Sequence, residues 1–176
     1  MKFDLTPLLR PHIVNLLPYT SARDEYTGKE GIFLDANENP YGSVTDEDHN
    51  RYPDPYQLEL KDEIAKIKKV KASQIFLGNG SDEAIDLLFR AFCNPGKDNV
   101  ILLPPTYGMY EVSASINDVE TRKIPLTPDF QLQPDLILKA VDENTKIIFV
   151  CSPNNPSGNK VNREDILRLL REFNGL

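Results

Sequence analysis

From Pro53 onward the chain alternates between two hydrophobic rhythms, one of helical period and one of short continuous apolar runs. Leu58, Leu60, Ile64, Ile67 and Val70 can line one side of a helix, with Lys61, Asp62, Glu63, Lys66 and Lys68 largely on the other. Gln74 to Leu77 reads as a strand, followed by a helix from about Asp82 to Phe92. Asn99 to Leu103 is a second strand, terminated by Pro104 and Pro105. A helix carrying Tyr107, Tyr110, Val112 and Ile116 leads to a third strand, Glu120 to Ile124. Leu136 to Val141 is helical, Lys146 to Cys151 is the most strand-like run, and Arg163 to Phe173 forms a last amphipathic helix.

Strands separated by helices at this spacing imply right-handed crossovers and an α/β fold of three layers, αβα, with a mostly parallel sheet covered on both faces. The unbroken apolar run Ile147 to Cys151 agrees, because a strand buried on both sides need not alternate. Residues 1–50 differ. Pro7, Pro11, Pro18, Gly28, Gly31, Pro40 and Gly42 interrupt any period, so this stretch reads as an arm and a segment of a small domain, and residues 51–176 as the first half of a large domain. Within the arm, Gly31 to Ala36 is strand-like, and Asn37-Glu38-Asn39-Pro40-Tyr41-Gly42 has the chemistry of a turn. Phe173-Asn174-Gly175 is a plausible C-cap, which makes Leu176 the first residue of a further strand. A chain stopping there leaves the sheet incomplete, with an exposed edge that favours association or aggregation.

Composition narrows the function classes more than the fold. The chain is 40% apolar and 27% charged, ordinary for a soluble domain. Its 20 Lys and Arg against 27 Asp and Glu give a net charge of -7, which argues against a nucleic-acid or anionic-membrane surface. A phosphate would have to be held locally, by backbone amides at a helix N-terminus or turn. Cys93 and Cys151 have neither metal-ligand nor disulfide-framework spacing and read as reduced core residues. That points to a cytoplasmic protein, as does an N-terminus, Met1-Lys2-Phe3-Asp4, without a signal-peptide apolar run. No segment approaches the roughly 18 apolar residues of a membrane span.

Two segments carry the chemistry. In Gly78-Asn79-Gly80-Ser81-Asp82-Glu83 the glycines permit a tight turn and Ser81 or Asp82 starts a helix with free N–H groups, a phosphate cup. The same residues also make an ordinary N-cap with no ligand. The Gly-Lys-Ser/Thr ending of a P-loop and the dinucleotide fingerprint are both missing from it. Ser152-Pro153-Asn154-Asn155-Pro156-Ser157-Gly158 follows the best strand, where ligands gather in open α/β sheets, and Asn155 could donate its amide to a phenolate-like oxygen. A rigid turn is the alternative reading. Between them Pro104-Pro105-Thr106-Tyr107-Gly108-Met109-Tyr110 ends another strand. Tyr107 could stack on a flat ring, and Tyr110 suits the core as well as a site. His12 and His49 have no partner spacing for a metal or a triad.

Taken together, these residues resemble the histidinol-phosphate aminotransferases, a subclass of the fold-type I pyridoxal-phosphate enzymes. Further matching pieces are Leu17-Pro18-Tyr19, Leu34-Asp35-Ala36-Asn37-Glu38-Asn39-Pro40, Asn50-Arg51-Tyr52-Pro53 and Arg90 to Asp98. The resemblance implies the large domain of such a transferase with pyridoxal 5'-phosphate as cofactor. In a cup formed with Gly80, backbone amides at Ser81 and Asp82 would hold its phosphate, Tyr107 would stack on the ring, and Asn155 would bond the ring hydroxyl. It implies a homodimer in which Tyr52 reaches the neighbouring subunit's phosphate and Tyr19 helps enclose substrate, a phosphorylated amino or keto acid paired with glutamate. Ser157 stands where Thr is commoner. The family's Schiff-base lysine motif does not occur in these 176 residues, and neither Lys97 nor Lys160 has its context. The chain alone is therefore expected to be inactive. A threonine-phosphate decarboxylase and a non-catalytic interaction module are the competing readings.

Overall fold

Strand β1 (Asn99–Leu102) is buried along its whole length because it runs down the middle of the sheet with a helical layer on each face. The computed structural model describes residues 4–20, 31–32, 34, 36–47 and 49–176, and these fall into two compact units. One comprises Met1–Leu16 and Gly78–Leu176; the other is Leu17–Leu77.

In the first unit β1 pairs in parallel with β2 (Glu120–Lys123) on one side and with β3 (Thr145–Ile148) on the other. Leu176 adds to this order. Its amide donates to the Lys146 carbonyl at 2.9 Å and its carbonyl accepts from the Ile148 amide at 2.8 Å, the two bonds of a parallel bridge on the open side of β3. Leu176 therefore pairs with β3 where the sequence placed the start of a further strand.

Alternation along the strands sorts the core into two layers. Val100, Leu102, Ile147 and Phe149 meet α3 (Gly80–Phe92) and α4 (Met109–Ile116) through Ile85, Phe89, Cys93 and Ala114. Ile101 and Leu103 face the other way, onto Ile137 of α5 (Pro134–Ala140) and Leu169 of α6 (Arg163–Glu172). The three layers expected from the sequence are thus built, with a small parallel sheet between them. Phe89 is fully buried and stacks on Phe149 with ring centroids 5.4 Å apart.

At the N-terminal ends of the strands a polar network fixes their register. Asn99 donates to Asp142 Oδ1 at 3.0 Å and accepts from the Thr145 hydroxyl at 2.8 Å, while Arg122 reaches Asp142 Oδ2 at 2.6 Å. Asp98, also buried, accepts from the Asn94 amide at 2.7 Å and closes the turn through Gly96. Gly96 has φ +66, and a Cβ there would lie 3.3 Å from Asp118 Oδ2, so the turn needs glycine. The N-terminal segment contains α1 (Pro11–Val14) and docks on the last turn of α3, where Arg10 donates its amide to Ala91 O at 2.9 Å and its guanidinium to Arg90 O at 2.8 Å.

Among the described residues of the second unit, the regular elements are α2 (Leu58–Lys68) and a 3-10 turn at Ala72–Gln74. The strand expected at Gln74 to Leu77 does not form. Gln74 belongs to the 3-10 turn, and although Ile75 is extended, no ladder pairs with it among the described residues. The apolar side of α2 is not covered: none of its residues is buried, and Ile67 is 75% exposed. Of the strand-like piece Gly31 to Ala36, Phe33 and Asp35 lie outside the described residues. The turn that follows is as expected, with positive φ at Asn37 (49°) and Gly42 (91°).

Candidate functional site

Three segments meet where β1 and β3 end and α3 begins. The first is the α3 N-terminus. The helix starts at Gly80, two residues ahead of expectation, because glycine takes φ +75 there and turns the chain directly into the first turn. No side chain of Asn79, Ser81 or Asp82 caps it in the ordinary way. Instead the carboxylate of Glu83, four residues on, accepts from the Asn79 amide at 2.5 Å. The amides of Ser81 and Asp82 are in the first turn, where an α-helix offers no internal acceptor, and Ser81 is exposed.

The second segment is the loop after β1. Tyr107 leaves it with its hydroxyl donating to Asp82 Oδ1 at 2.9 Å. That bond raises the phenol pKa, since the proton is held against a carboxylate. The Tyr107 ring stands edge-on to Tyr110, centroids 5.7 Å apart at 85°, and Tyr110 stacks on Phe149 at 4.6 Å. Tyr110 is thereby half-buried against the core and backs the Tyr107 ring. Burial, then its contact with Cys151, pushes its pKa up to about 12. Beside Tyr107, Thr106 Oγ1 is buried without a hydrogen-bond partner among the described residues.

The third segment is Ser152 to Gly158, which begins four residues past the end of β3. Its two asparagines divide the work. Asn154 is 4% exposed and donates its side-chain amide to Pro105 O at 2.9 Å and to Ser157 Oγ at 2.7 Å. The Ser157 hydroxyl in turn donates to Asn159 Oδ1, and Gly158 N closes the turn on Asn154 O at 2.7 Å. Asn155 is exposed, its amide available to a ligand. Sequence reasoning singled out Asn155 and missed Asn154 as the anchor, because a doublet of asparagines does not show which one is buried. The rigid-turn reading holds at Asn154, while Asn155 keeps its side chain exposed.

Hydrogen bonds therefore connect the predicted segments end to end: Asn154 to Pro105, then Tyr107 to Asp82. The donor set fits a flat, phosphorylated heteroaromatic cofactor. Free amides lie at a helix N-terminus, an unburied carboxamide lies on the next strand's loop, and an aromatic ring fixed at its edge and hydroxyl lies between. No group of His, Cys, Asp and Glu among the described residues could hold a metal ion, and no helix among them is long and apolar enough to cross a membrane.

In the other unit, Tyr52 and Tyr19 are 67% and 90% exposed. Tyr52 is held by its backbone. Glu38 accepts from the Tyr52 amide at 2.8 Å and from Arg51 Nη1 at 2.9 Å, while Asn50 Nδ2 reaches Asn39 O at 2.9 Å. The two segments Asn37 to Pro40 and Asn50 to Pro53 are thus one hydrogen-bonded structure.

Comparison with known proteins agrees with this geometry. The family model described as aminotransferase class I and II matches residues 29–176. The chain is 58% identical over its full length to a histidinol-phosphate aminotransferase of Cytophaga hutchinsonii, of which it covers 51%. It spans about half the length of the curated relatives it matches. Among solved structures, an alanine aminotransferase from Pyrococcus furiosus superposes with a TM-score of 0.64 at 26% identity, over 70% of this chain and 33% of the other. The L-threonine-O-3-phosphate decarboxylase of Porphyromonas gingivalis gives 0.54 at 29% identity, over 69% and 36%.

Proposed function

Because the chain belongs to the aminotransferase class I and II family, we propose that it is the N-terminal part of a pyridoxal-phosphate-dependent histidinol-phosphate aminotransferase. The observation that carries this reading is the convergence of three loops on one place, in a chain 58% identical to a relative of that name. The complete protein would exchange an amino group between glutamate and imidazole-acetol phosphate in the cytoplasm, as a step of histidine biosynthesis.

When bound, the cofactor supplies an electron-withdrawing ring that stabilises negative charge at the substrate α-carbon. The residues of this chain bind and orient it. The Ser81 and Asp82 amides, beside the positive end of the α3 dipole, hold the phosphate without a basic patch. Tyr107 covers one face of the ring and excludes water from it. Asn155 donates to the ring oxygen and fixes the in-plane rotation. Tyr52 and Tyr19 act across a homodimer interface, on the phosphate and the substrate respectively. None of these groups moves the substrate proton. That role falls to a lysine whose motif these 176 residues do not contain.

The test is growth. A bacterial histidine auxotroph lacking this transaminase, supplied with the complete gene, grows without histidine if the reading holds, and failure to grow with the protein expressed and folded overturns it. The likeness to the threonine-phosphate decarboxylase supports a second reading, a decarboxylase of a phosphorylated amino acid. Release of carbon dioxide from threonine phosphate by the same protein would favour it.

A further inference from the structure

We propose that the Asp82 carboxylate is a positioning residue for Tyr107, setting the plane of the stacking ring through the bond between Tyr107 Oη and Asp82 Oδ1; this deepens the cofactor-binding reading above and rests on it. A phenol attached to a loop turns about two side-chain torsions, so one contact does not fix it. Tyr107 has two contacts, of different kinds. Its ring edge meets Tyr110, and Tyr110 is stacked on Phe149, which is stacked on Phe89 in the buried layer under α3. Its hydroxyl is held at the far end by Asp82 on the first turn of that same helix. The ring is therefore referenced at both ends to α3, the helix whose amides are the phosphate donors.

The bond also accounts for an acid at an anion site. A carboxylate in the first turn of a helix competes with an incoming anion for the free amides. Among the described residues, the Asp82 side chain bonds Tyr107 through Oδ1 and makes no bond to the amides of its own turn. Glu83 accepts from Asn79 N. The raised phenol pKa accords with a carboxylate acceptor.

The experiment uses the complete protein, with pyridoxal 5'-phosphate as the probe, in wild type, Tyr107→Phe, Asp82→Ala, Asp82→Asn and the Tyr107→Phe/Asp82→Ala double variant. Cofactor affinity and the circular dichroism of the bound cofactor are read, together with the ionisation of Tyr107 in the cofactor-free protein by NMR of ring-labelled tyrosine. Loss of a charge-assisted hydrogen bond should weaken affinity about tenfold and shrink the dichroic band in either single variant. The double variant should lose little more, and Asp82→Asn, which keeps an acceptor, should recover part of the band. In the cofactor-free protein, Asp82→Ala should lower the Tyr107 pKa. Additive losses, or an Asp82→Ala protein with wild-type affinity and dichroism, would overturn the inference while leaving the cofactor site intact. Wild type that binds no cofactor would overturn the underlying reading, and the inference with it. Tyr107→Phe keeps the ring and its packing, so the test stands even where Asp82→Ala fails to fold.

Discussion

Asn154 lends its side-chain amide to the carbonyl of Pro105 at 2.9 Å, joining residues 49 apart in sequence and holding the loop after β3 against the loop after β1. The bond is partly buried and its donor also serves Ser157, so removing the side chain of the buried Asn154 breaks two hydrogen bonds as well as emptying a small volume. Asn154→Ala should lower the unfolding free energy by about 1–3 kcal/mol. Urea denaturation of the complete protein checks this, and an unchanged midpoint would remove Asn154 from the anchor role.

Its neighbour should behave in the opposite way. Asn155 is exposed, and surface truncations usually change stability by less than about 0.5 kcal/mol. Asn155→Ala should therefore leave the urea midpoint in place while cofactor affinity falls by about tenfold or more, the expected loss of one buried hydrogen bond to the ring. The contrast between the two asparagines, one moving stability and the other affinity, is measured on the same two proteins.

Phe89 tests the packing under the site. It is fully buried between α3 and the sheet and stacks on Phe149, which supports Tyr110 and through it Tyr107. Phe89→Ala should cost about 3–5 kcal/mol and loosen the stacking tyrosine as well. Leu170, 70% exposed on α6, is the control, with a change near zero.

The network at the other end of the strands predicts a pH dependence. Asn99, then Arg122, hold the Asp142 carboxyl well below the usual carboxylate range. A lowered folded-state pKa means that this contribution to stability is complete above the unfolded value, about 4, and is lost as pH falls below it. Melting temperature should decline on that acid side, and Asp142→Asn should flatten the decline without altering its neutral-pH shape.

Buried and half-buried thiols should differ in reactivity. Burial, then the nearby Asp98, pushes Cys93 up to about 12, so almost no thiolate exists at neutral pH. Native-state alkylation at pH 8 should label Cys151, which is half-buried, before Cys93, and Cys93 should react only on unfolding.

How much of this was legible beforehand depends on the kind of interaction. Apolar period and strand-end punctuation predicted α3 to α6, the three strands and the pairing residue Leu176; burial writes itself into the apolar residues of β1 and β3, whereas β2, with no buried residue, was legible from its place between two helices. Gln74 to Leu77 misled for the same reason: an apolar run records that a segment is to be covered, not which ladder covers it, and Gln74 joined a 3-10 turn instead. The same limit explains α2, whose apolar side is written in the sequence but lies open in its unit. The candidate site segments could be chosen from spacing after strands, yet the hydrogen bonds that connect them could not. Glu83 as acceptor for the Asn79 amide, Asn154 as the anchor and Asp82 as acceptor for Tyr107 are long-range or geometric choices among several equivalent polar groups.

The most direct test of the central claim is the crystal structure of the complete protein with pyridoxal 5'-phosphate bound. The account predicts phosphate oxygens within about 3 Å of the Ser81 and Asp82 amides, the ring lying against Tyr107, and the Asn155 amide on the ring hydroxyl. Cofactor density elsewhere, with the α3 N-terminus and Asn155 facing solvent, would contradict it.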